Sequence, residues 1–174
     1  MELGLLVLRL VVGVLFMGHG AQKLWGYFGG HGIEGTGGFF EAIGLKPGRL
    51  HARAAGFNEF AGGLLLALGL FTPFAAALLI ATMVAAIVTV HWQKGVWSTD
   101  GGYEYNLVLM ASAFAVACIG AGPWSLDGAF NLDLSGAGWG LAALAAGVAG
   151  GFGAVAAGRS GARRTAPRRS VQAH

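Results

Sequence analysis

The stretch AAGFNEFAGGLLLALGLFTPFAAALLIATMVAAIVTV, residues 54–90, decides the fold. It holds two apolar runs, 54–71 and 73–90, that meet at Thr72-Pro73. Each run is close to the roughly 20 apolar residues a helix needs to cross a bilayer. Thr is a good N-cap and Pro a good first helical residue, so the second helix is expected to start at Pro73 with Thr72 capping it. So short a junction makes the two runs a tight antiparallel hairpin. One acid, Glu59, lies inside the first run, with Gly62 and Gly63 following it on the same face.

Outward from this hairpin, segments 3–24, 105–122 and 138–158 have the same apolar character. The last, GWGLAALAAGVAGGFGAVAAG, is rich in Ala and Gly and contributes the least transfer energy per residue. Of the 174 residues, 55% are hydrophobic and only 11% charged, and the mean hydropathy is +0.64. Too few polar side chains are present to cover a soluble globule. The expected fold is therefore an all-α integral membrane protein: a four-helix transmembrane bundle over 1–128, a fifth Ala/Gly-rich span at 138–158, and a basic, disordered tail at 159–174. The 32 glycines fit close packing between membrane helices. Segment 3–24 has no basic stretch ahead of it and carries Arg9 within it, so it reads as a retained span rather than a cleaved signal. Cys118 is the single cysteine, which excludes a disulfide within the chain and a self-contained disulfide oxidase.

Charge tests the number of spans, because Lys and Arg gather in short cytoplasmic loops. With five spans, Lys23, Lys46, Arg49, Arg53, Lys94, Arg159, Arg163, Arg164, Arg168 and Arg169 all fall on one side; only Arg9 remains of the 11 basic residues. The expected location is the cytoplasmic membrane, multi-pass, with the N-terminus outside and the C-terminus in the cytoplasm. In the first long loop, Phe39, Phe40, Ile43 and Leu45 sit at helical spacing around Glu41, as in a short interfacial helix. The arginines of the tail would attract anionic lipid headgroups. Trp25, Tyr27, Trp92, Trp97 and Trp124 read as an interfacial aromatic belt.

A charge within the bilayer costs at least about 2.5 to 3.5 kcal/mol on insertion scales, so such groups face the bundle interior and have partners. The first span ends with His19 and Lys23, four residues apart on one face. Asn58 and Glu59 lie about one and a half turns into the second span, roughly 8 Å from its start. The third span exits at His91, and the fourth enters with Tyr103, Glu104 and Asn106. Four helix ends thus converge on one polar layer, with Lys23 or His19 as the expected partner of Glu59. Arg9 lies about 21 Å along the helix from Lys23. It is expected to snorkel outward and meet Asp127.

These residues carry a resemblance. The stretches LRLVVG (8–13), GHGAQKL (18–24), EFAGGLLLALGLFT (59–72), TVH (89–91), GGYEYN (101–106) and GPWSLD (122–127) resemble the DoxX family of small bacterial membrane proteins over roughly residues 5–128. The family pattern has four helices, so the fifth apolar segment and the basic tail depart from it. The resemblance implies a role in redox stress. Its members include a membrane subunit acting with thiosulfate and quinone, proteins linked to quinone or catechol resistance, and one that joins a thiosulfate sulfurtransferase and a superoxide dismutase at the membrane.

The functional expectation is a membrane component of a redox or detoxification system, a quinone-linked oxidoreductase subunit acting on thiosulfate, thiols or quinones. Quinone reduction takes two protons with two electrons, which makes His19, Glu59, His91 and Glu104 the candidate catalytic groups. Arg9, Lys23, Asn58, Tyr103 and Asn106 are the candidate substrate-binding groups, the cations serving a reduced, anionic substrate. Quinone is the expected cofactor; haem or a metal between His19 and His91 is a lesser alternative, and no metal site is assigned. Expected partners are membrane lipid, a soluble sulfurtransferase or superoxide dismutase, and a second copy of the chain, with no nucleic acid. The competing functions are a non-catalytic membrane anchor for soluble redox enzymes and a small-solute transporter.

Overall fold

The computed structural model of the chain describes residues 2–165, and these are mostly helical with no strand. The α-helices in chain order are α1 (Glu2–Trp25), α2 (Gly32–Ala42), α3 (Gly48–Leu68), α4 (Thr72–Ala86), α5 (Glu104–Ile119), α6 (Leu126–Ala129) and α7 (Ala137–Thr165). The protein is an all-α integral membrane protein. α1, α7 and the stretch Thr72–Lys94 that begins with α4 are long and apolar enough to cross a membrane, and α5 is a shorter apolar helix. α3 has the length, but Arg49, Arg53, Asn58 and Glu59 lower its hydropathy. Val11, Val14, Phe57, Phe74, Val108 and Phe152 point outward from the bundle, the arrangement a hydrocarbon solvent favours.

α1 packs most extensively on α3, and α4 lies between α3, α5 and α7. The α1–α3 contact is backbone on backbone. A Cβ placed on Gly13 would sit 2.6 Å from the Gly63 carbonyl oxygen, and one on Gly63 would sit 2.5 Å from that of Gly13. Phe16, Leu66, Leu79, Ile80 and Val116 are fully buried and form the centre of the core.

The expected hairpin is present, but its cap differs. α3 ends in a Schellman motif: Gly69, at φ 62, donates to the Leu66 carbonyl and Leu70 to that of Leu65. α4 then starts one residue earlier than expected, at Thr72, with Phe71 as N-cap and no side-chain cap of its own. Asp127 supplies the cap from α6, the one-turn helix beyond α5. Its Oδ1 accepts from the Phe71 amide at 2.7 Å, and its Oδ2 accepts from the Thr72 amide at 3.0 Å and the Thr72 hydroxyl at 2.6 Å. One carboxylate so satisfies two free helix N–H groups and meets the positive end of the helix dipole.

Two other boundaries move. The short helix in the first loop, α2, begins at Gly32, well ahead of the Phe39–Leu45 pattern. α7 runs to Thr165, so residues 159–165 are helix rather than disordered tail; 166–174 lie outside the described residues.

Candidate functional site

At the Lys23 end of the bundle a cavity of about 800 Å³ opens among α1, α3, α4, α5 and α7. Six of the sequence-derived candidates line it: His19, Lys23, Asn58, Glu59, His91 and Asn106. Its centre is the pair of Lys23 and Glu59, with Nζ 2.6 Å from Oε2. Glu59 is 2% exposed while the Lys23 side chain keeps about a quarter of its surface, so the pair runs from the buried interior toward the rim. A carboxylate this deep needs its charge partner, and the contact between glycines of α1 and α3 brings the two helices close enough to supply it. His19, one turn before Lys23, lies close enough to Glu59 to act on it electrostatically.

Hydrogen bonding fixes which nitrogen of each histidine carries the proton. The Gln22 amide nitrogen donates to the Phe28 carbonyl at 3.2 Å, so its Oε1 faces His19 Nδ1, 3.1 Å away. An amide oxygen only accepts, hence His19 Nδ1 is the N–H and Nε2 is left as the acceptor. His91 has the same arrangement, with Nδ1 2.7 Å from the Gly101 carbonyl oxygen. Its position follows from a π turn, Ile87–His91, which adds a residue to the last turn of the third apolar run. On the remaining wall, Asn106 is buried and donates to the Met83 sulfur at 3.3 Å.

Three candidates lie elsewhere. Glu104 is half-buried and does not line the cavity; it caps its own loop by accepting from the Ser98 amide at 3.0 Å and the Ser98 hydroxyl at 2.8 Å. It stands outside the apolar run 105–122, and these two bonds hold its carboxyl below the ordinary value. Tyr103 stacks on Trp92, with centroids 5.7 Å apart and planes 12° from parallel. Both departures have one cause: the loop 92–103 folds back on itself, with Tyr103 and Glu104 donating their amides to Gly95 and Val96. Arg9 sits at the opposite end of the bundle and does not snorkel. It is 1% exposed, its Nη2 donates to the Trp124 carbonyl at 2.5 Å, and Nε and Nη1 find no acceptor among the described residues. Asp127 is near it, but both carboxylate oxygens are occupied at the start of α4.

His51 was missed by sequence reasoning, and Gln22, placed between His19 and Lys23 at the end of the first span, was given no role. His51 lines the cavity from α3 and shares a helical stripe with Ala55 and Asn58, four and seven residues on, a spacing that could have flagged it. Gln22 stands within GHGAQKL, but its role depends on the Phe28 carbonyl, which nothing in the spacing announces. Among the described residues no group of three His, Cys, Asp or Glu side chains is placed to hold a metal ion. A cavity of this size, apolar in its walls with a few convergent polar groups, has the build of a small-molecule site.

Comparison with known proteins adds a family. The pattern of the DoxX family matches residues 4–92. The Bacillus subtilis (strain 168) protein named "Putative oxidoreductase CatD" is 32% identical over 126 residues, which cover 72% of this chain and 86% of that protein. The "Uncharacterized membrane protein Rv3486" of Mycobacterium tuberculosis is 29% identical over 130 residues, 69% of this chain and 77% of that one. No solved structure matches.

Proposed function

The chain belongs to the DoxX family, and on that footing we propose that it is the membrane component of a redox or detoxification system, a quinone-linked oxidoreductase drawing electrons from thiosulfate or thiols. The observation that carries this reading is the Lys23–Glu59 pair, with His19 beside it, at the polar end of a largely apolar cavity of about 800 Å³. The name given to the Bacillus relative supports the same class of activity.

A quinone ring that becomes a quinol gains two electrons and two protons. The electrons come from the sulfur reductant, two thiolates leaving as a disulfide or two thiosulfates as tetrathionate; a lone Cys118 cannot itself form such a couple within the chain. His19 presents Nε2 to the cavity and, once protonated, donates there, while Gln22 holds the ring in register. Glu59 is the second proton carrier, and Lys23, reaching the rim, links it to water. Asn106 and His91 orient the ring from the opposite wall. The residues present fit such a group: apolar walls take the ring, and donors at one end meet its oxygens.

The same reading sets the protein in the cytoplasmic membrane with five crossings, N-terminus outside and C-terminus inside. The grouping of ten basic residues on one side supports this. Membrane lipid surrounds it, a soluble sulfurtransferase or superoxide dismutase docks on the basic face, and a second copy of the chain is a further partner.

The test is to purify the protein in mild detergent, extract bound quinone, and follow quinone reduction by absorbance with thiosulfate or a thiol as donor. Bound quinone and a rate lost in Glu59→Gln support the reading. A chain that binds no quinone, and whose Glu59→Gln variant still supports the function of soluble redox partners, is an anchor instead.

A further inference from the structure

The cavity does not stop at the polar groups. α3 and α7 both pack on α4 but barely touch each other, which leaves a strip of α4 uncovered between them. Along this strip the cavity continues as an apolar arm lined by Phe74, Ala77 and Ala81 of α4 and by Ala146 and Gly150 of α7. From His91 at the polar end to Phe74 is 17 residues, about 25 Å at the rise of a helix. Phe74 itself is 58% exposed, so the arm ends on the outer, lipid-facing surface.

The glycines of α7 divide by what they face. A Cβ on Gly147 would press to 2.6 Å from the Ile80 side chain, and one on Gly151 to 2.7 Å from the Ala81 carbonyl oxygen, so these two seat α7 on α4. A Cβ on Gly150 would meet only the Ala81 Cβ, at 3.5 Å. Gly150 thus leaves room beside α4 that a side chain could take up.

We propose that this arm holds the hydrocarbon chain of a single-chained lipid with an uncharged ring as its head, which enters sideways from the bilayer between α3 and α7. Three features select that occupant. One arm of helix length takes one extended chain, not the two of a phospholipid. The cation on the cavity wall, Lys23, is already neutralised by Glu59, so a phosphate head would find no free partner there. The arm's walls carry hydrocarbon only, and its end opens on hydrocarbon. The identity of the head rests on the quinone reading, whereas the arm rests on the packing of α3, α4 and α7. On this view α7 is the wall that sets which chains are accepted.

The experiment measures binding to the full chain in mild detergent with two probes: a benzoquinone carrying a chain of four isoprene units, and the same ring with a methyl group in place of the chain. The tailed ring should bind at least tenfold more tightly. Gly150→Leu, which fills the arm, should lose at least tenfold for the tailed ring and less than twofold for the tailless one. Gly153→Leu, on a face where a Cβ meets nothing within 4 Å, should leave both unchanged. Equal binding of the two probes to the parent protein, or tailed-ring binding untouched in Gly150→Leu, overturns the proposal. If neither ring binds, the quinone reading falls, and geranylgeraniol decides the arm: binding to the parent protein and not to Gly150→Leu upholds it, and binding to neither overturns it.

Discussion

Lys23 Nζ lies 2.6 Å from Glu59 Oε2, joining the end of α1 to the middle of α3 across 36 residues of sequence. Removing one member of such a pair leaves an uncompensated charge, whereas removing both does not. Lys23→Met should therefore destabilise the protein by about 3 kcal/mol, the low end for buried pairs because Lys23 reaches the rim. The double variant Lys23→Met, Glu59→Gln should recover most of that loss. Thermal unfolding in detergent checks this, and a double variant no more stable than Lys23→Met would show that the pair is not what the lysine serves.

Gln22 holds His19 with Nδ1 protonated, through an amide that the Phe28 carbonyl keeps from flipping. Nitrogen NMR of the imidazole should report a single neutral tautomer with its proton on Nδ1. Gln22→Leu should give a mixture of tautomers and a several-fold slower reduction. An unchanged tautomer in Gln22→Leu would remove Gln22 from the site.

Asp127 accepts three hydrogen bonds at the start of α4, two of them from otherwise free helix amides. Asp127→Ala should cost about 3 kcal/mol, combining the loss of a cap with the loss of charge-assisted bonds. Gly69→Ala should cost about 2 kcal/mol or more, because its φ is 62 and an added Cβ would overlap the Arg9 guanidinium. Neither change should alter the Lys23–Glu59 pair at the polar end of the cavity, which lies at the other end of the bundle.

Glu104 is held below its ordinary carboxyl value by the Ser98 amide and hydroxyl. A group whose folded value is depressed contributes stability that is present above its unfolded value of about 4.3 and is lost as pH falls through the lower folded one. Protection of the loop 95–103 against amide exchange, taken relative to the unfolded chain at each pH, should fall below about pH 4. In Glu104→Gln it should be low at neutral pH as well.

A reporter fused after His174 should read cytoplasmic, and one in the loop 123–136 extracytoplasmic. The opposite pattern would break the grouping of basic residues that defines the orientation.

Much of the fold was legible because hydrophobic length and turn chemistry are local properties. The runs at 54–71 and 73–90, the break at Thr72-Pro73 and the charge of Glu59 are all in the string. The partner of Glu59 was legible too, since helix direction and depth leave few candidates. The cap of α4 was not, because it comes from Asp127, 55 residues from Thr72, and depends on how the loop after α5 folds. Glu104 and Tyr103 looked like site residues because they share a depth with His91, yet depth does not fix azimuth. The loop's own hydrogen bonds hold them off the cavity lining. Arg9 was expected to reach for the surface; the corner formed by Gly69 and the Trp124 carbonyl keeps it inside.

That corner is also a clasp. At one end, Arg9 ties α1 to the Trp124 carbonyl, and Asp127 ties the loop after α5 to the α3–α4 turn by its side chain and by its amide on the Gly69 carbonyl. At the other, Lys23 of α1 holds Glu59 of α3, and the Lys46 amide just before α3 donates to the Gly158 carbonyl of α7. Both ends of the bundle are thus clasped, and the seam between α3 and α7, which barely touch, is the least tied side of the molecule.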